Sequence, residues 1–227
     1  MRARPLLLGH RGARRHAPEN TLEAFDLSLR HGCDGFEFDV RLCADGHDVI
    51  CHDPKIGRHE VARSSFDQLG APCLEDVLAG YASRAVLDIE LKVEGLEPVV
   101  VELVRRYPPR RGYFISSFLP TVAEALYRID RSLPLGLICD SASQLAAWKG
   151  VPVRAMFLER RLCSAAAVAA LHGAGKQVFV WTINREREML DFAELGVDGI
   201  ISDDTDLLAK TFPSGSDSPG GRPHQER

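Results

Sequence analysis

Short apolar segments alternate with amphipathic segments along most of this chain. Between them, apolar residues recur at helical spacing, as in Leu96, Val100 and Leu103. The alternation of strands and helices predicts an α/β fold built on a parallel sheet. The apolar segments predict eight strands, which are Leu6–Gly9, Phe36–Leu42, Val86–Leu91, Tyr113–Ser117, Leu135–Cys139, Ala155–Leu158, Val178–Ile183 and Gly199–Ser202.

Polar residues at the starts of the amphipathic segments predict where several helices begin. The first helix is predicted at Asn20–Leu29, because Asn20 and Glu23 have the spacing of an N-cap pair. Ser164 and Asn184 are predicted as the N-caps of two later helices, since both residue types accept hydrogen bonds from free helix N–H groups.

The order and number of these elements predict one barrel domain. The segment Asp48–Cys51 follows Asp45-Gly46, a hairpin-turn signal, and predicts an extra antiparallel strand beside strand two. The eight β/α units in residues 1–212 predict a (β/α)8 TIM barrel with this short hairpin strand. A doubly wound open sheet is the alternative, although the sequence has no G-x-G-x-x-G turn. Residues 213–227, rich in Pro, Ser and Gly, predict a disordered tail.

The composition excludes several classes of partner. The chain has 28 Lys and Arg against 32 Asp and Glu and a net charge of -4, so no strong basic field attracts nucleic acid. No apolar run approaches the roughly 20 residues of a transmembrane helix. None of the 6 cysteines has Cys-x-x-Cys spacing, which is typical of reduced thiols in a cytoplasmic protein. We expect a cytoplasmic location and leave the oligomeric state open.

Acidic residues alternate with apolar ones in two of the predicted strands. Glu37 and Asp39 point to one face of their strand, and Asp88 and Glu90 share a face of theirs, because side chains at i and i+2 lie on the same side. In a barrel these acids project into the interior, where unpaired negative charge is costly. Carboxylates without His or Cys favour a hard cation, Mg2+ or Ca2+.

An internal salt-bridge network is the alternative to a metal ion. In that case Arg11, Arg41 and Lys92 would neutralise the buried acids. We favour the metal site because the acidic pattern occurs in two strands, at the carboxyl ends of the predicted barrel strands and beside His10 and His52.

The candidate chemistry is displacement at phosphorus. Imidazole titrates near neutral pH, so His10 and His52 are suited to act as a general acid/base pair. Arg11 offers an anion a bidentate fork, and Lys92 offers it a point charge. A divalent cation beside these groups would offset the charge on the non-bridging oxygens of a phosphate ester.

Eight short motifs occur in order along nearly the whole chain apart from the tail. They are Gly9-His10-Arg11-Gly12, Pro18-Glu19-Asn20-Thr21, Glu37-x-Asp39, His52-Asp53, Glu90-x-Lys92, Ser117-Phe118, Val180-Trp181-Thr182-Ile183-Asn184 and Gly196-Val197-Asp198-Gly199. With these motifs, the chain resembles the glycerophosphodiester phosphodiesterase family. The resemblance implies a TIM-barrel enzyme of lipid and glycerol metabolism that hydrolyses glycerophosphodiesters to glycerol 3-phosphate and an alcohol, with one divalent cation.

The resemblance also implies roles for individual residues. Matched position by position, it implies the metal ligands Glu37, Asp39 and Glu90, the acid/base pair His10 and His52, and the substrate-binding residues Arg11, Lys92 and Trp181. For Trp181, a purely structural position in the core is an equally good interpretation.

The sequence departs from the family pattern at two places. The segment Pro54–Pro72 is shorter than the insertion that many members carry there, and an open site would also suit lysophospholipids. A lysophospholipase D with the same site is therefore the alternative function. Ile200-Ile201-Ser202-Asp203-Asp204 replaces the usual Thr-Asp followed by Pro, a change that we expect to be minor. A non-catalytic barrel that binds a phosphorylated ligand is disfavoured because both His10 and His52 are present.

Overall fold

The computed structural model describes residues 4–213 of the protein. Within this range, eight parallel strands close into a barrel, which confirms the predicted (β/α)8 fold. The predicted tail lies outside the described residues from 214 onward. In the part of the chain that the structure describes, no helix is both long and apolar enough to cross a membrane.

The elements follow one another in the predicted order. The strands are β1 (Leu6–Gly9), β2 (Gly35–Leu42), β3 (Asp48–Ile50), β4 (Lys55–Ile56), β5 (His59–Glu60), β6 (Val86–Leu91), β7 (Tyr113–Ser117), β8 (Leu135–Cys139), β9 (Ala155–Glu159), β10 (Gln177–Trp181) and β11 (Gly199–Ser202). The α-helices are α1 (Leu22–His31), α2 (Leu74–Tyr81), α3 (Glu97–Arg106), α4 (Pro120–Ile129), α5 (Ala142–Ala147), α6 (Ala165–Gly173), α7 (Glu186–Leu195) and α8 (Thr205–Thr211).

The barrel runs in the order β1, β2, β6, β7, β8, β9, β10 and β11, and β11 pairs with β1 to close it. Strand β3 lies outside the ring and pairs antiparallel with β2, with Val40 opposite Ile50. This confirms the extra hairpin strand predicted after strand two. The short β4–β5 hairpin, which the sequence pattern did not predict, forms a separate small sheet.

The two faces of β2 separate apolar from acidic side chains. Phe36 and Phe38 point outward and pack with Phe25 of α1, whose ring stacks on that of Phe36 at a centroid distance of 4.2 Å. Glu37 and Asp39 therefore lie on the opposite, inner face of the barrel, as the period-two alternation predicts. Packing of the outer face against α1 thus sets the direction of both acids.

Aromatic rings fill much of the apolar side of the barrel interior. Phe157 and Phe179 stack at a centroid distance of 4.7 Å, and both pack with Leu8 and Ile201. Gly199 leaves the space that Phe179 occupies, because a Cβ built on Gly199 would lie 2.3 Å from the Phe179 ring. The glycine at the start of β11 is therefore a packing requirement of the barrel interior.

Two of the three predicted N-caps are wrong. Helix α1 begins after Thr21, whose side chain accepts a hydrogen bond from the Ala24 N–H, and Asn20 lies outside the helix with φ 58°. Helix α7 begins after Arg185 rather than Asn184. Ser164 is confirmed as the N-cap of α6. Both asparagines instead hold acidic side chains of the site, as described below.

We predict that Gly199→Ala lowers the free energy of unfolding by about 1–3 kcal/mol, since the new methyl group would overlap the Phe179 ring. Chemical denaturation of the purified variant measures this change. Gly80→Ala in α2 is the matched control, because a Cβ there meets no atom within 4 Å. That variant should be as stable as the parent or slightly more stable, since alanine has the higher helix propensity. Equal stability of both variants would contradict the packing requirement.

Candidate active site

Charged and aromatic side chains meet at the carboxyl ends of the barrel strands, around a cavity of about 140 Å³. This is the end at which barrel enzymes carry their active sites. The lining residues are His10, Arg11, Glu37, His52, Asp88, Glu90, Lys92, Phe118, Ile138, Phe157, Trp181 and Ile201. The lining includes every site residue expected from the sequence except Asp39.

Three buried carboxylates converge at this cavity. Glu37, Asp39 and Glu90 each offer an oxygen, and these oxygens lie within 4.8 Å of one another. Pairing of β2 with β6 brings them together, because Asp39 stands opposite Glu90 and Glu37 opposite Asp88. The strand register therefore assembles the acidic cluster from two separate segments.

The hydrogen bonds of these carboxylates leave oxygens free. Glu37 Oε2 accepts from the backbone N–H of Arg11 at 2.8 Å, and Asp39 Oδ2 accepts from Asn20 Nδ2 at 2.8 Å. Within residues 4–213, Glu37 Oε1 and Asp39 Oδ1 are buried without a hydrogen bond, although Lys92 Nζ lies 3.3 Å from Asp39 Oδ1. Buried carboxylate oxygens without a hydrogen bond, in an all-oxygen set, match the ligands that Mg2+ and Ca2+ prefer. The residues present therefore fit a hard divalent cation.

Two of the three cations considered from the sequence contact the acidic cluster. Arg11 Nε lies 3.4 Å from Asp39 Oδ2, and Lys92 Nζ lies 3.3 Å from Asp39 Oδ1 and forms an ion pair with Glu90. Arg41 instead donates to the backbone carbonyl of His52 at 2.7 Å. An internal salt-bridge network thus exists, and its partners are Arg11 and Lys92.

These two cations do not balance the charge of the cluster. Arg11 also pairs with Glu19 at 2.9 Å, so its charge is shared with a further acid. Burial, together with the neighbouring Asp39 and Glu90, raises the pKa of Glu37 well above its usual value. Burial and the nearby Asp39 likewise raise the pKa of Glu90 to about 7. The cluster therefore resists full ionisation unless further positive charge is present.

The two histidines line the cavity in different surroundings. His10 Nδ1 lies 2.7 Å from Asp203 Oδ1, and His10 Nε2 lies 4.0 Å from Glu37 Oε2. Burial lowers the pKa of His10, although the hydrogen bond with Asp203 acts in the opposite direction. His52 Nδ1 lies 2.8 Å from the carboxylate of Asp53, which is largely exposed. Each imidazole thus has one nitrogen bound to a carboxylate.

An aromatic wall faces the charged half of the cavity. Trp181 donates from Nε1 to the Phe157 carbonyl at 3.1 Å, and its ring lies nearly perpendicular to that of Phe118, with the centroids 5.8 Å apart. Lys92 Nζ lies 5.4 Å from the centre of the Phe118 ring, at the boundary between the two halves. Trp181 both lines the cavity and packs on the apolar interior, so the two interpretations of this residue coexist.

The sequence pattern missed three polar residues that support the site. Asn20 binds Asp39 through both ends of its amide, and Asn184 donates to Asp203 Oδ2 at 2.7 Å. Asp203, which directly follows β11, holds His10. One signal for Asp203 was present in the sequence: it directly follows a predicted barrel strand, where barrel enzymes carry their active-site residues.

Sequence comparison identifies relatives along most of the chain. The sequence model of the "Glycerophosphoryl diester phosphodiesterase family" matches residues 10–86 and 72–207. A glycerophosphodiester phosphodiesterase of Bacillus altitudinis is 27% identical over 236 residues, which cover 90% of this chain and 96% of that protein. One from Caldanaerobacter subterraneus is 26% identical over 245 residues, covering 92% of this chain and 98% of that protein.

Solved structures with the same fold include further proteins of this kind. A glycerophosphodiester phosphodiesterase from Agrobacterium tumefaciens is 27% identical, with a TM-score of 0.80 over 91% of this chain and 99% of that one. A phosphodiesterase from Oleispira antarctica, solved with the product sn-glycerol-3-phosphate, has a TM-score of 0.82 at 23% identity over 93% of this chain and 98% of that one. The chain belongs to the glycerophosphoryl diester phosphodiesterase family.

Proposed function

We propose that the protein hydrolyses glycerophosphodiesters to glycerol 3-phosphate and an alcohol, with one divalent cation and a two-histidine acid/base mechanism. The observation that carries this proposal is the cluster of Glu37, Asp39 and Glu90 beside a cavity that Glu37, Glu90, His10 and His52 line. The family to which the chain belongs and the product bound to the Oleispira antarctica phosphodiesterase agree with this substrate class.

In this proposal Glu37, Asp39 and Glu90 hold the cation, for which Mg2+ and Ca2+ are the candidates because every ligand is a carboxylate oxygen. When bound, the cation would supply Lewis acidity that offsets the charge on the phosphate oxygens. Arg11 and Lys92 bind the negatively charged phosphate of the substrate. Burial opposes the charge of Lys92, but Glu90 and Asp39 outweigh it and raise the pKa of Lys92, so its ammonium group stays protonated.

His10 and His52 divide the proton transfers between them. One imidazole removes the proton from the attacking hydroxyl, and the other protonates the oxygen of the departing alcohol. The attacking hydroxyl belongs either to water or to the glycerol of the substrate. In the second case the alcohol departs with formation of a cyclic glycerol phosphate, which water then opens to glycerol 3-phosphate. Because both rings line one cavity, a single bound phosphate group lies within range of both. Trp181 and Phe118 form the apolar side of the binding site and limit access of water to the reacting group.

We expect the protein to release glycerol 3-phosphate and choline from glycerophosphocholine when Mg2+ or Ca2+ is present. The cavity of about 140 Å³ is small against the roughly 300–1,000 Å³ of typical ligand pockets, which favours a substrate without an acyl chain. Product analysis by mass spectrometry, with lysophosphatidylcholine assayed in parallel, tests this. Turnover of the lysophospholipid alone would instead establish the lysophospholipase D alternative.

Replacement of either cavity histidine should remove the acid/base step. We expect His10→Ala and His52→Ala each to lower kcat by about 10²–10⁴-fold, since this is the usual contribution of general acid/base catalysis. His47→Ala is the matched control, because the side chain of His47 is 69% exposed and lies outside the cavity lining. Circular dichroism checks that all three variants are folded. Full activity in either cavity variant would contradict the mechanism.

Metal binding should depend on pH in a defined direction. The pKa of Glu90 is about 7 in the folded protein and 4.5 for the unperturbed group, so the metal-free folded state holds a proton that the unfolded chain releases. Stability of the metal-free protein should therefore fall as pH rises from about 5 to 7. Because a cation binds the ionised carboxylates, added Mg2+ or Ca2+ should raise the unfolding temperature more at about pH 8 than at about pH 6.

Thermal unfolding with and without cation at both pH values measures this effect, and a chelator should abolish turnover. Asp39→Asn removes one negative charge from the proposed ligand set and should weaken the response to the cation. Asp140→Asn, which changes an exposed acid outside the cavity, is the matched control and should keep it. An unchanged response in Asp39→Asn would show that the cation binds elsewhere.

A further inference from the structure

Behind His10, on the side away from Glu37, a carboxylate and an amide form a hydrogen-bonded network. Asp203 Oδ1 lies 2.7 Å from His10 Nδ1, and Asn184 Nδ2 donates to Asp203 Oδ2 at 2.7 Å. Asp203 follows β11 and Asn184 follows β10, so adjacent barrel strands supply both groups. We propose that Asp203, held by Asn184, is a positioning residue that fixes the tautomer and the orientation of His10 in the hydrolysis proposed above, on which this inference rests.

The direction of the Asn184 amide is determined by its neighbours. Its oxygen, Oδ1, accepts the backbone N–H of Asp203 at 2.9 Å and the hydroxyl of Ser202 at 3.1 Å. The opposite end of the amide is therefore the NH2 group, and this end faces Asp203 Oδ2. Because an NH2 group only donates, it requires an acceptor at that position. The network thus specifies an oxygen at the Asn184 side of residue 203.

The other oxygen of Asp203 determines the state of His10. An ionised carboxylate only accepts, so the neutral imidazole carries its proton on Nδ1, where it donates to Asp203 Oδ1. Nε2 then presents its lone pair on the cavity side, 4.0 Å from Glu37 Oε2. Arg14 lies 3.7 Å from the same Asp203 oxygen and adds positive charge beside it. His10 therefore enters the reaction ready to accept a proton at Nε2.

The second cavity histidine has no comparable support. His52 Nδ1 contacts Asp53 at 2.8 Å, but the side chain of Asp53 is 72% exposed and follows His52 directly in the chain. The side chain of Asp203 is 24% exposed and is held by Asn184 in addition. Of the two histidines, His10 is thus the one whose carboxylate partner is itself held in place, and we assign it the role of base and His52 the role of acid.

Asp203→Asn is the sharpest test because Asn184 orients the new amide. The carbonyl oxygen of the introduced side chain must face the Asn184 NH2 group, so its own NH2 group faces His10 Nδ1. That contact requires an unprotonated Nδ1, so the imidazole proton moves to Nε2. With its proton on Nε2, His10 cannot accept a proton from the cavity side. A histidine base held in the wrong tautomer loses about 10⁴-fold in kcat in the best-known case. Asp203→Ala imposes no tautomer and should retain more activity.

The expected order of activity, parent above Asp203→Ala above Asp203→Asn, is the reverse of what a structural role predicts. For a side chain that only fills space, the isosteric asparagine would be tolerated better than alanine. Adding Asn184→Ala to Asp203→Asn frees the amide to turn its oxygen toward His10, and should restore part of the lost kcat. Activity of Asp203→Asn equal to or above that of Asp203→Ala would overturn the proposal.

A spectroscopic readout separates this proposal from the proposed function. In protein labelled with 15N-histidine, the His10 signals at about pH 8, where imidazole is neutral, should report the proton on Nδ1 in the parent and on Nε2 in Asp203→Asn. His10→Ala assigns these signals, and no turnover is needed to record them. A parent without phosphodiesterase activity but with this tautomer change would refute the proposed function alone. The same tautomer in both proteins would refute the positioning role.

Asp204→Asn is the matched control for these variants. Asp204 is the next residue, contacts His16 Nε2 at 3.0 Å and caps α8, where asparagine is an equally good cap. His16 and Asp204 both lie outside the cavity lining. The control should keep the activity and the His10 signals of the parent. A loss of activity in Asp204→Asn as large as that in Asp203→Asn would show that the effect is general to this loop and would overturn the proposal.

Discussion

The burial of three carboxylates on the inner face of the barrel is the constraint on which the rest of the site depends. Glu37, Asp39 and Glu90 are 3%, 1% and 7% exposed, and an unpaired buried carboxylate is costly. Arg11 and Lys92 contact the cluster, yet their two charges do not balance its three acids, and oxygens of Glu37 and Asp39 stay without a hydrogen bond. Further positive charge at the cluster of Glu37, Asp39 and Glu90 would therefore stabilise the folded chain.

The backbone of the loop after β1 is shaped by the same constraint. Arg11 and Asn20 have φ values of 53° and 58°, in the left-handed region that costs a residue with a side chain of order 1 kcal/mol or more. In this conformation the N–H of Arg11 donates to Glu37, and the amide of Asn20 reaches Asp39. A further bond from the Asn20 N–H to the Arg11 carbonyl joins the two strained residues. One loop thus stabilises two of the three acids.

The sequence was enough to predict features that depend on local periodicity, such as which face of a strand a side chain occupies. The alternation of Glu37 and Asp39 with Phe36 and Phe38 specifies an inner and an outer face, and the structure has both. The role of Asn20 was not predictable in this way, because an asparagine before a helix has the same pattern whether it caps the helix or holds a carboxylate. Its true partner, Asp39, lies 19 residues away and is brought near by folding.

The contact between His10 and Asp203 spans 193 residues, yet it follows from the closure of the barrel. In a closed ring the last strand pairs with the first, and here Gly9 stands opposite Ser202. The residues that follow these two positions, His10 and Asp203, must then emerge side by side at the carboxyl end. Closure of the ring in this register therefore makes the residue after the last strand a neighbour of the residue after the first. Closure of the sheet thus brings Asp203 to His10, as pairing of β2 with β6 brings the acids together.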